Sequence, residues 1–294
     1  MTTPATLATV AICTHNRSSS VKACVASLAA QAARAGFPVL IVDSASSPDE
    51  ARALEAIASA SGIDLIRCDE AGVSFARNLA ASQAEGEWIV YVDDDILAFP
   101  DWAEALAARL AAAPDDVAVI GGQVRARWPS GARHDHIGQR WKLLLSCTDE
   151  PGSGPVPAFN VVCANLAVRR RALQAVGGFP TRLGRVGGRL ISGEESFLIE
   201  RLLQEGLHAH YDARFGVDHC ISPERLTVRW ARRRAYWEGV SRICIYHELG
   251  KPLPKSLNPV KLAASLPVLL GLSLVSPEYA IRCAMAWGSF STQF

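Results

Sequence analysis

Apolar residues follow two alternating patterns along the first 124 positions of the chain. Short, unbroken apolar runs rich in β-branched residues predict strands, and segments whose apolar residues recur every three or four positions predict helices. The predicted strands are 7–13, 37–43, 63–69, 87–95 and 117–124, and the predicted helices are 20–36, 48–62, 73–86 and 101–114. Strands that are apolar at every position are typical of a parallel sheet covered by helices on both faces, so we predict an α/β fold with a mostly parallel sheet.

The second half of the chain is less regular. Segments 127–141 and 148–160 are rich in Gly, Pro, Ser and His and predict loops, whereas 165–179 and 192–206 predict helices. A short strand is predicted at 208–219, and the chain is predicted to be helical from Pro223 onward. This change at Pro223 divides the chain into a domain at 1–222 and a C-terminal helical extension at 223–294.

Two segments of the extension allow more than one interpretation. The apolar stretch 260–275 is shorter than the ~20 residues of a spanning helix. It predicts a packed helical hairpin, with peripheral membrane contact as the alternative. Segment 229–242 interleaves arginines with Trp230, Tyr236 and Trp237. It could be a solvated basic helix or a surface for an acidic lipid or phosphate-bearing acceptor.

Composition excludes several classes of protein. The 294 residues carry a net charge of +1, which gives no bulk attraction to nucleic acid. None of the eight cysteines forms a CxxC pair, so we expect neither a disulfide framework nor a zinc site. The first residues lack the basic start and apolar core of a signal peptide. Together these features predict a cytoplasmic protein with reduced thiols.

Acidic residues follow three of the predicted strands, at Asp43, at Asp69 and at the run Asp93-Asp94-Asp95. Open α/β sheets bind ligands beyond the carboxyl ends of their strands. Residues two apart in an extended chain point the same way, so Asp93 and Asp95 could share one Mn²⁺ or Mg²⁺ ion. A solvated acidic turn is the alternative interpretation.

Four further residues are candidates for chemistry. Glu194 and Glu195 begin a predicted helix, where Ser192 and Glu195 fit a capping box; a general base is the second interpretation. His219 could complete a carboxylate metal site, although a lone histidine is more often structural. Arg77 could pair with an acid or a phosphate, or lie on the surface.

In their order and spacing these motifs resemble the family 2 glycosyltransferases, over residues of about 7 to 242. The matching segments are "VAICTHNR", "LIVDSAS", "GVSFARNLAASQAEGEWIVYVDDDI", "NLAVRRRALQAVGGF", "GEESFLIERL" and "VDHCISPERLTVRWARRRAYWEG". The resemblance implies the GT-A fold for the first domain. It also implies inverting transfer of a sugar from a nucleotide-sugar donor to a hydroxyl of a carbohydrate or lipid-linked acceptor, as in polysaccharide biosynthesis.

The resemblance also implies roles for particular residues. The nucleotide would contact Thr14, Asp43, Arg77 and Asp94. Mn²⁺ or Mg²⁺ would be bound by Asp93, Asp95 and His219. The general base would be Glu195, with Glu194 as the other candidate. "VDSAS" lacks the second acid and the glycine of the commoner "VDDGS" form, which leaves the ribose contacts open.

Three other functions are weighed against glycosyl transfer. A nucleotidyltransferase should carry a Gly- and Lys-rich phosphate loop after the first strand, where this chain has "CTHNRSSS". A non-catalytic sugar-nucleotide-binding protein would have lost acids that are all present here. A dinucleotide dehydrogenase would need a GxGxxG motif after the first strand, which is absent. We therefore expect a glycosyltransferase, cytoplasmic or at the inner face of the cell membrane.

Overall fold

The structure is a computed structural model that describes residues 6–184 and 190–293. In these two ranges nine strands form one sheet, in the order β3-β2-β1-β4-β8-β6-β9-β5, with β7 paired to β9 beside this path. The strands are β1 Ala8–Thr14, β2 Val39–Ser44, β3 Asp64–Cys68, β4 Trp88–Asp93, β5 Ile96–Ala98, β6 Val117–Arg127, β7 Ser153–Pro155, β8 Asn165–Arg169 and β9 His208–Cys220. The helices are α1 Ser18–Arg34, α2 Pro48–Ser61, α3 Val73–Gln83, α4 Trp102–Ala111, α5 Gln139–Leu144, α6 Arg170–Ala175, α7 Glu194–Gln204, α8 Val228–Glu248, α9 Pro259–Leu272 and α10 Pro277–Ser291.

The first four strands are parallel neighbours, and their carboxyl ends share one edge of the sheet. Strand β1 lies between β2 and β4, with Thr14 opposite Asp43 and Cys13 opposite Asp93. The acids predicted at the strand ends are therefore brought to the same edge. The predicted α/β class is confirmed, and the predicted parallel arrangement holds for this half of the sheet.

The other half of the sheet is mixed, because β8 runs antiparallel to both β4 and β6. The prediction of a helix over 165–179 is wrong for its first five residues, which form β8; only Arg170–Ala175 is helical. All five residues of β8 are buried, and the Asn165 side chain donates to the backbone carbonyls of Gln123 and Phe215. A central position in the sheet thus overrides the helical spacing of the sequence.

Alternate residues of the strands pack against two different layers of helices. Val10 and Ile12 of β1 belong to the core formed with α1, α2 and α4, whereas Ala11 belongs to the core formed with α3, α6 and α7. This arrangement is the two-sided coverage that the fully apolar strands predict. It leaves the carboxyl edge of the sheet open between the helix layers.

The C-terminal helices pack closely at two glycines. A Cβ atom on Gly239 of α8 would lie 2.1 Å from the carbonyl oxygen of Met285, and one on Gly288 of α10 would lie 2.0 Å from that of Tyr236. The two helices therefore touch backbone to backbone. Among the described residues, no helix has both the length and the apolar character needed to cross a bilayer. The division at Pro223 stays a prediction.

Candidate active site

A cavity of about 360 Å³ opens at the carboxyl edge of the sheet. Its walls come from the ends of β1 and β4, the beginnings of α3 and α7, and one side chain of α8. Of the nine predicted site residues, Thr14, Arg77, Asp93, Asp94, Glu194 and Glu195 line it. Asp43, Asp95 and His219 do not line it; Asp43 and Asp95 precede or follow lining residues in the chain, and His219 contacts Asp95.

The three consecutive aspartates have different environments because the chain turns after the first. Asp93 ends β4, whereas Asp94 and Asp95 form a turn before β5. The Asp93 side chain is 37% exposed, and those of Asp94 and Asp95 are 5% and 6% exposed. The extended-chain argument for pairing Asp93 with Asp95 is therefore wrong in its premise. The carboxylates that converge on one cation are those of Asp94 and Asp95.

That cation is the guanidinium of Arg17, which the sequence analysis did not single out. Its Nη1 lies 2.7 Å from Asp94 Oδ1 and its Nη2 lies 2.7 Å from Asp95 Oδ2. The Thr14 hydroxyl donates to the other oxygen of Asp94 at 2.7 Å. Arg17 precedes α1, and its side chain is 40% exposed. We call Asp93-Asp94-Asp95 the acid turn; Arg17, from the loop between β1 and α1, offsets part of its negative charge.

His219 supports the acid turn from β9. Its Nε2 lies 3.3 Å from Asp95 Oδ1, and Arg225 Nη2 lies 3.7 Å from Asp95 Oδ2. Burial lowers the pKa of His219, but hydrogen bonds with Asp95 and Cys147 and the charges of Asp95 and Asp93 together outweigh burial and raise that pKa to about 9. Burial opposes ionisation of Asp95, yet His219 and Arg17 together hold the pKa of Asp95 well below its usual range.

The acid turn has the donor chemistry of a divalent-cation site. Carboxylate oxygens are the ligands that Mg²⁺ and Mn²⁺ prefer, usually one or two per ion together with phosphate oxygens. Two of these carboxylates already converge on the Arg17 guanidinium, which stands in for a cation. In the described ranges, no three His, Cys, Asp or Glu side chains are placed so that together they could bind a metal ion. The roles of Asp93, Asp95 and His219 as metal ligands stay predictions.

The first turn of α7 presents the second pair of acids. The N-cap of this helix is Gly193 at φ 91°, and no side chain caps it, so the predicted capping box of Ser192 and Glu195 is wrong. The Ser192 hydroxyl instead accepts from Arg234 Nη2 at 2.9 Å. Glu194 and Glu195 each have an Oε2 atom that is buried without a hydrogen-bond partner in the described part of the chain. Such atoms are costly unless they serve a ligand.

Glu195 has the properties of a proton acceptor. Burial, and secondly the charge of Glu194, raise its pKa to about 7. The Glu195 side chain is partly exposed because it lines the cavity. A carboxylate with a pKa near the working pH is suited to general base catalysis.

Arg77 of α3 joins the two groups of acids. Its Nη1 lies 2.7 Å from Glu194 Oε1, and its Nη2 lies 3.6 Å from Asp93 Oδ1. The guanidinium also lies over the ring of Phe179, 5.5 Å from its centroid. Arg77 is buried, so the interpretation of this residue as a surface arginine is wrong. Its guanidinium group contacts the acid turn through Asp93 and α7 through Glu194.

Asp43 is already bound within the protein. Its Oδ2 accepts from Arg67 Nη1 at 2.6 Å, and its Oδ1 accepts from the backbone N–H of Ser46 at 3.0 Å. The neighbouring Ser44, rather than Asp43, lines the cavity. Asp43 therefore shapes the loop after β2, and its contact with a nucleotide stays a prediction.

The sequence analysis missed two arginines of this site. Arg17 stands in the quoted segment "VAICTHNR", but its partners are about 78 positions away. Arg234 is one of three consecutive arginines, and of these three it lines the cavity. Its burial could have been suspected from helical spacing, because it lies between Ala231 and Ala235, which are also buried.

Sequence comparison shows that the part of the chain that holds most of the site residues matches a known family. Residues 9–177, more than half of the chain, match the model of "Glycosyl transferase family 2". A curated relative from Haloferax volcanii, named glucosyl-dolichyl phosphate glucuronosyltransferase, is 29% identical over 174 residues. This match covers 58% of the chain and 55% of the relative, so the chain spans about half of that protein's length.

Structural comparison supports the fold. The mannosyltransferase PcManGT from Pyrobaculum calidifontis, solved with GDP-Man and Mn²⁺, superposes with a TM-score of 0.64 at 19% identity. That match covers 99% of the chain and 90% of PcManGT. GalNAc-T7 with UDP, GalNAc and Mn²⁺ gives 0.58 at 16% identity, covering 82% of the chain and 51% of GalNAc-T7. S. aureus TarS 1–349 gives 0.54 at 15% identity, covering 98% and 91%.

Proposed function

Because the chain belongs to glycosyl transferase family 2, we propose that it transfers a sugar from a nucleotide-diphosphate sugar to an acceptor hydroxyl with inversion. One observation carries this proposal. A single cavity holds the acid turn on one side and the acids of α7 on the other, with Arg77 between them. Transfer needs both sides, since one binds the diphosphate and the other accepts the proton of the attacking hydroxyl.

The donor side is formed by the ends of β1 and β4. The hydroxyl groups of Thr14 and of Ser44, which ends β2, line the cavity on this side and would face the nucleotide. Gly72 lines the cavity as well. Asp93, Asp95 and His219 would hold Mn²⁺ or Mg²⁺, for which Arg17 would have to leave the turn. When bound, the ion would act as a Lewis acid on the leaving diphosphate. Arg77 adds a fixed positive charge beside the same position.

The acceptor side is formed by α7. Glu195 would take the hydroxyl proton on its Oε2 atom, which has no hydrogen-bond partner in the described part of the chain. Arg77 holds Glu194 through Oε1 and so keeps a second negative charge next to Glu195. This charge helps to raise the pKa of Glu195 to about 7, where the carboxylate is basic enough to accept a proton.

The inverting course is supported by the thiol in the cavity. Cys13 lines the cavity and is a potential nucleophile for a double displacement. Burial raises the pKa of this thiol to about 12, so it stays protonated at neutral pH. A protonated thiol is a poor nucleophile. Cys13 is therefore not a nucleophile for a double displacement, and single displacement by the acceptor hydroxyl, which inverts the anomeric centre, stays the proposed course.

The acceptor is proposed to be a carbohydrate or a lipid-linked molecule. The Haloferax volcanii relative is named for a dolichyl phosphate substrate. In this chain, exposed apolar residues are concentrated in α9 and the turn that follows it. Both facts favour an acceptor presented at a membrane surface, and we place the protein's work at the inner face of the membrane.

Donor binding can be tested by thermal unfolding with UDP, GDP, dTDP and CDP, each with and without Mn²⁺. One nucleotide should raise the melting temperature only when the metal is present. At 100 times Kd the stabilisation is about 2.7 kcal/mol, which corresponds to roughly 4 °C for a chain of this size. If none of the four nucleotides shifts the transition with metal, the proposed donor site is wrong.

The pH dependence of transfer should follow Glu195. The base acts as a carboxylate, and its pKa is raised to about 7, so the rate should climb with pH through neutrality and level off at about pH 8. Below pH 6 we expect a fall of about tenfold per unit. Burial also raises the pKa of Asp94 to about 7. Asp94→Asn is therefore the control, and it should keep the rising limb; loss of the limb in this variant would contradict the assignment to Glu195.

A further inference from the structure

Positive charge is concentrated in the C-terminal quarter of the chain. Residues 223–294 contain ten Lys and Arg but only four Glu and no Asp, a net charge of +6 in a chain whose total is +1. The run from Leu262 to Pro277 contains no charged residue at all. A basic segment next to an uncharged apolar one is complementary to an anionic amphiphile.

The apolar run is left uncovered by the fold. Leu262 is the buried residue of α9. The large apolar side chains of α9 and of the turn after it are exposed to a degree unusual for a folded chain: Val260 at 74%, Val268 at 64%, Leu270 at 59%, Leu274 at 86% and Val275 at 78%. A helix that is apolar all round is normally buried against something. The surface therefore needs an apolar occupant.

An apolar groove of about 820 Å³ lies between α8, α9 and α10. Leu266 and Leu270 of α9 form one wall, and Trp287 of α10 forms the opposite wall. The exposed guanidinium groups of Arg232 and Arg233 lie at its α8 side. The groove thus combines a hydrocarbon-like interior with cationic groups at one margin.

The groove and the active-site cavity lie on two sides of the same helix. Arg232 and Arg233 line the groove, whereas the next residue, Arg234, lines the cavity. An α-helix with its side chains is about 10–12 Å across, so the two spaces are separated by about one helix diameter. The close approaches of Gly239 to Met285 and of Gly288 to Tyr236 hold α8 against α10 and keep this spacing fixed.

We infer that this groove binds the hydrocarbon chain of a phosphate-bearing lipid, with the phosphate against Arg232 and Arg233. The inference rests on the proposed function in one respect, since such a lipid would be the carrier of the acceptor. The exposed apolar tip, Leu274 and Val275, would lie in the bilayer surface beside the mouth of the groove. The groove would then receive its lipid directly from the membrane.

Binding is tested with dodecyl phosphate below its micellar concentration, measured by titration calorimetry on the full chain, with dodecanol and inorganic phosphate as partial probes. Dodecyl phosphate should bind more tightly than either partial probe. Ala263→Trp fills the groove from an exposed position of α9 and should weaken binding about tenfold or more. Ala264→Trp, the same change at an exposed neighbour outside the groove, should have little effect.

A second pair of variants tests the phosphate end. Arg232→Glu should weaken binding of dodecyl phosphate about tenfold and leave dodecanol unchanged, whereas Arg229→Glu, also exposed but outside the groove, should alter neither. Equal losses in both tryptophan variants, or equal binding of dodecyl phosphate and inorganic phosphate, would overturn the inference. So would self-association of the wild-type chain that Ala263→Trp abolishes, because the occupant would then be a second copy.

Binding to the membrane surface is measured separately from binding in the groove, by flotation of the protein with phosphatidylcholine vesicles that contain or lack phosphatidic acid. Leu274→Ser with Val275→Ser should reduce flotation but keep dodecyl phosphate binding, since neither residue lines the groove. Loss of both would overturn the groove as a separate site. Nucleotide-dependent stabilisation should persist in Ala263→Trp. If the wild-type chain binds dodecyl phosphate but no nucleotide, the proposed function fails and the groove stands.

Discussion

Glu195→Gln should lower the rate of sugar transfer by about 10²- to 10⁴-fold, the usual contribution of a general base. The amide keeps the size of the side chain but cannot accept the proton of the acceptor hydroxyl. Nucleotide binding should be unchanged, because the acid turn lies on the other side of Arg77. The measurements are turnover with saturating donor, and nucleotide-dependent melting of the same preparation.

Glu194→Gln tests which of the two acids, Glu194 or Glu195, is the general base. Removing the charge of Glu194 takes away the second-largest of the three causes that raise the pKa of Glu195, so the rising limb of the pH profile should move to lower pH. Glu195→Gln should instead abolish this limb. Glu200→Gln is the matched control on the same helix, where Glu200 pairs with Lys251. If Glu194→Gln removes the limb and Glu195→Gln keeps it, the base is Glu194.

Asp95→Asn should have the second large effect, because it removes a carboxylate from the centre of the acid turn. We expect loss of the metal-dependent nucleotide shift and a fall in turnover of about 100-fold or more. The free energy of unfolding should fall as well, since the buried His219 and the partly exposed Arg17 both lose a charged partner. Breaking a buried pair commonly costs about 3–5 kcal/mol, which melting without ligand would reveal.

Asp93→Asn provides the comparison within the same turn. The Asp93 side chain is partly exposed and lies outside the cluster of Arg17 and His219, so the melting temperature without ligand should change little. Turnover and the nucleotide shift should still fall. Asp101→Asn, an exposed acid soon after the turn, should alter none of these quantities. If Asp95→Asn retains the full metal-dependent shift, Asp95 is not a ligand of the ion.

The sequence predicts those parts of the molecule that depend on local pattern. The strands predicted at 37–43 and 87–95 are found as Val39–Ser44 and Trp88–Asp93, because fully apolar runs between amphipathic helices have few other structures open to them; the second ends two residues earlier than predicted. The same reasoning brings both acids to one edge, as the pairing of Thr14 with Asp43 and of Cys13 with Asp93 confirms.

The parts that could not be predicted depend on contacts across the chain. No local pattern shows that Arg17 meets the acid turn 78 positions later, because a salt bridge leaves no periodic trace. Residues 165–169 form a strand despite their helical spacing, because they pair with β4 on one side and with β6 on the other. The capping box fails at Ser192 because Arg234, 42 positions later, uses the Ser192 hydroxyl.

The pairing of Arg17 with Asp94 and Asp95 has a consequence for how the protein is made. Three adjacent carboxylates would oppose folding before a metal ion arrives, yet here the chain supplies its own counter-cation from a neighbouring loop. Under the proposed metal-binding role of this turn, newly synthesised protein would reach its fold in metal-poor surroundings and would take up the ion afterwards in exchange for the Arg17 guanidinium. Chelation should then silence the enzyme reversibly, and a purified apoprotein should survive storage and regain activity when the ion is returned.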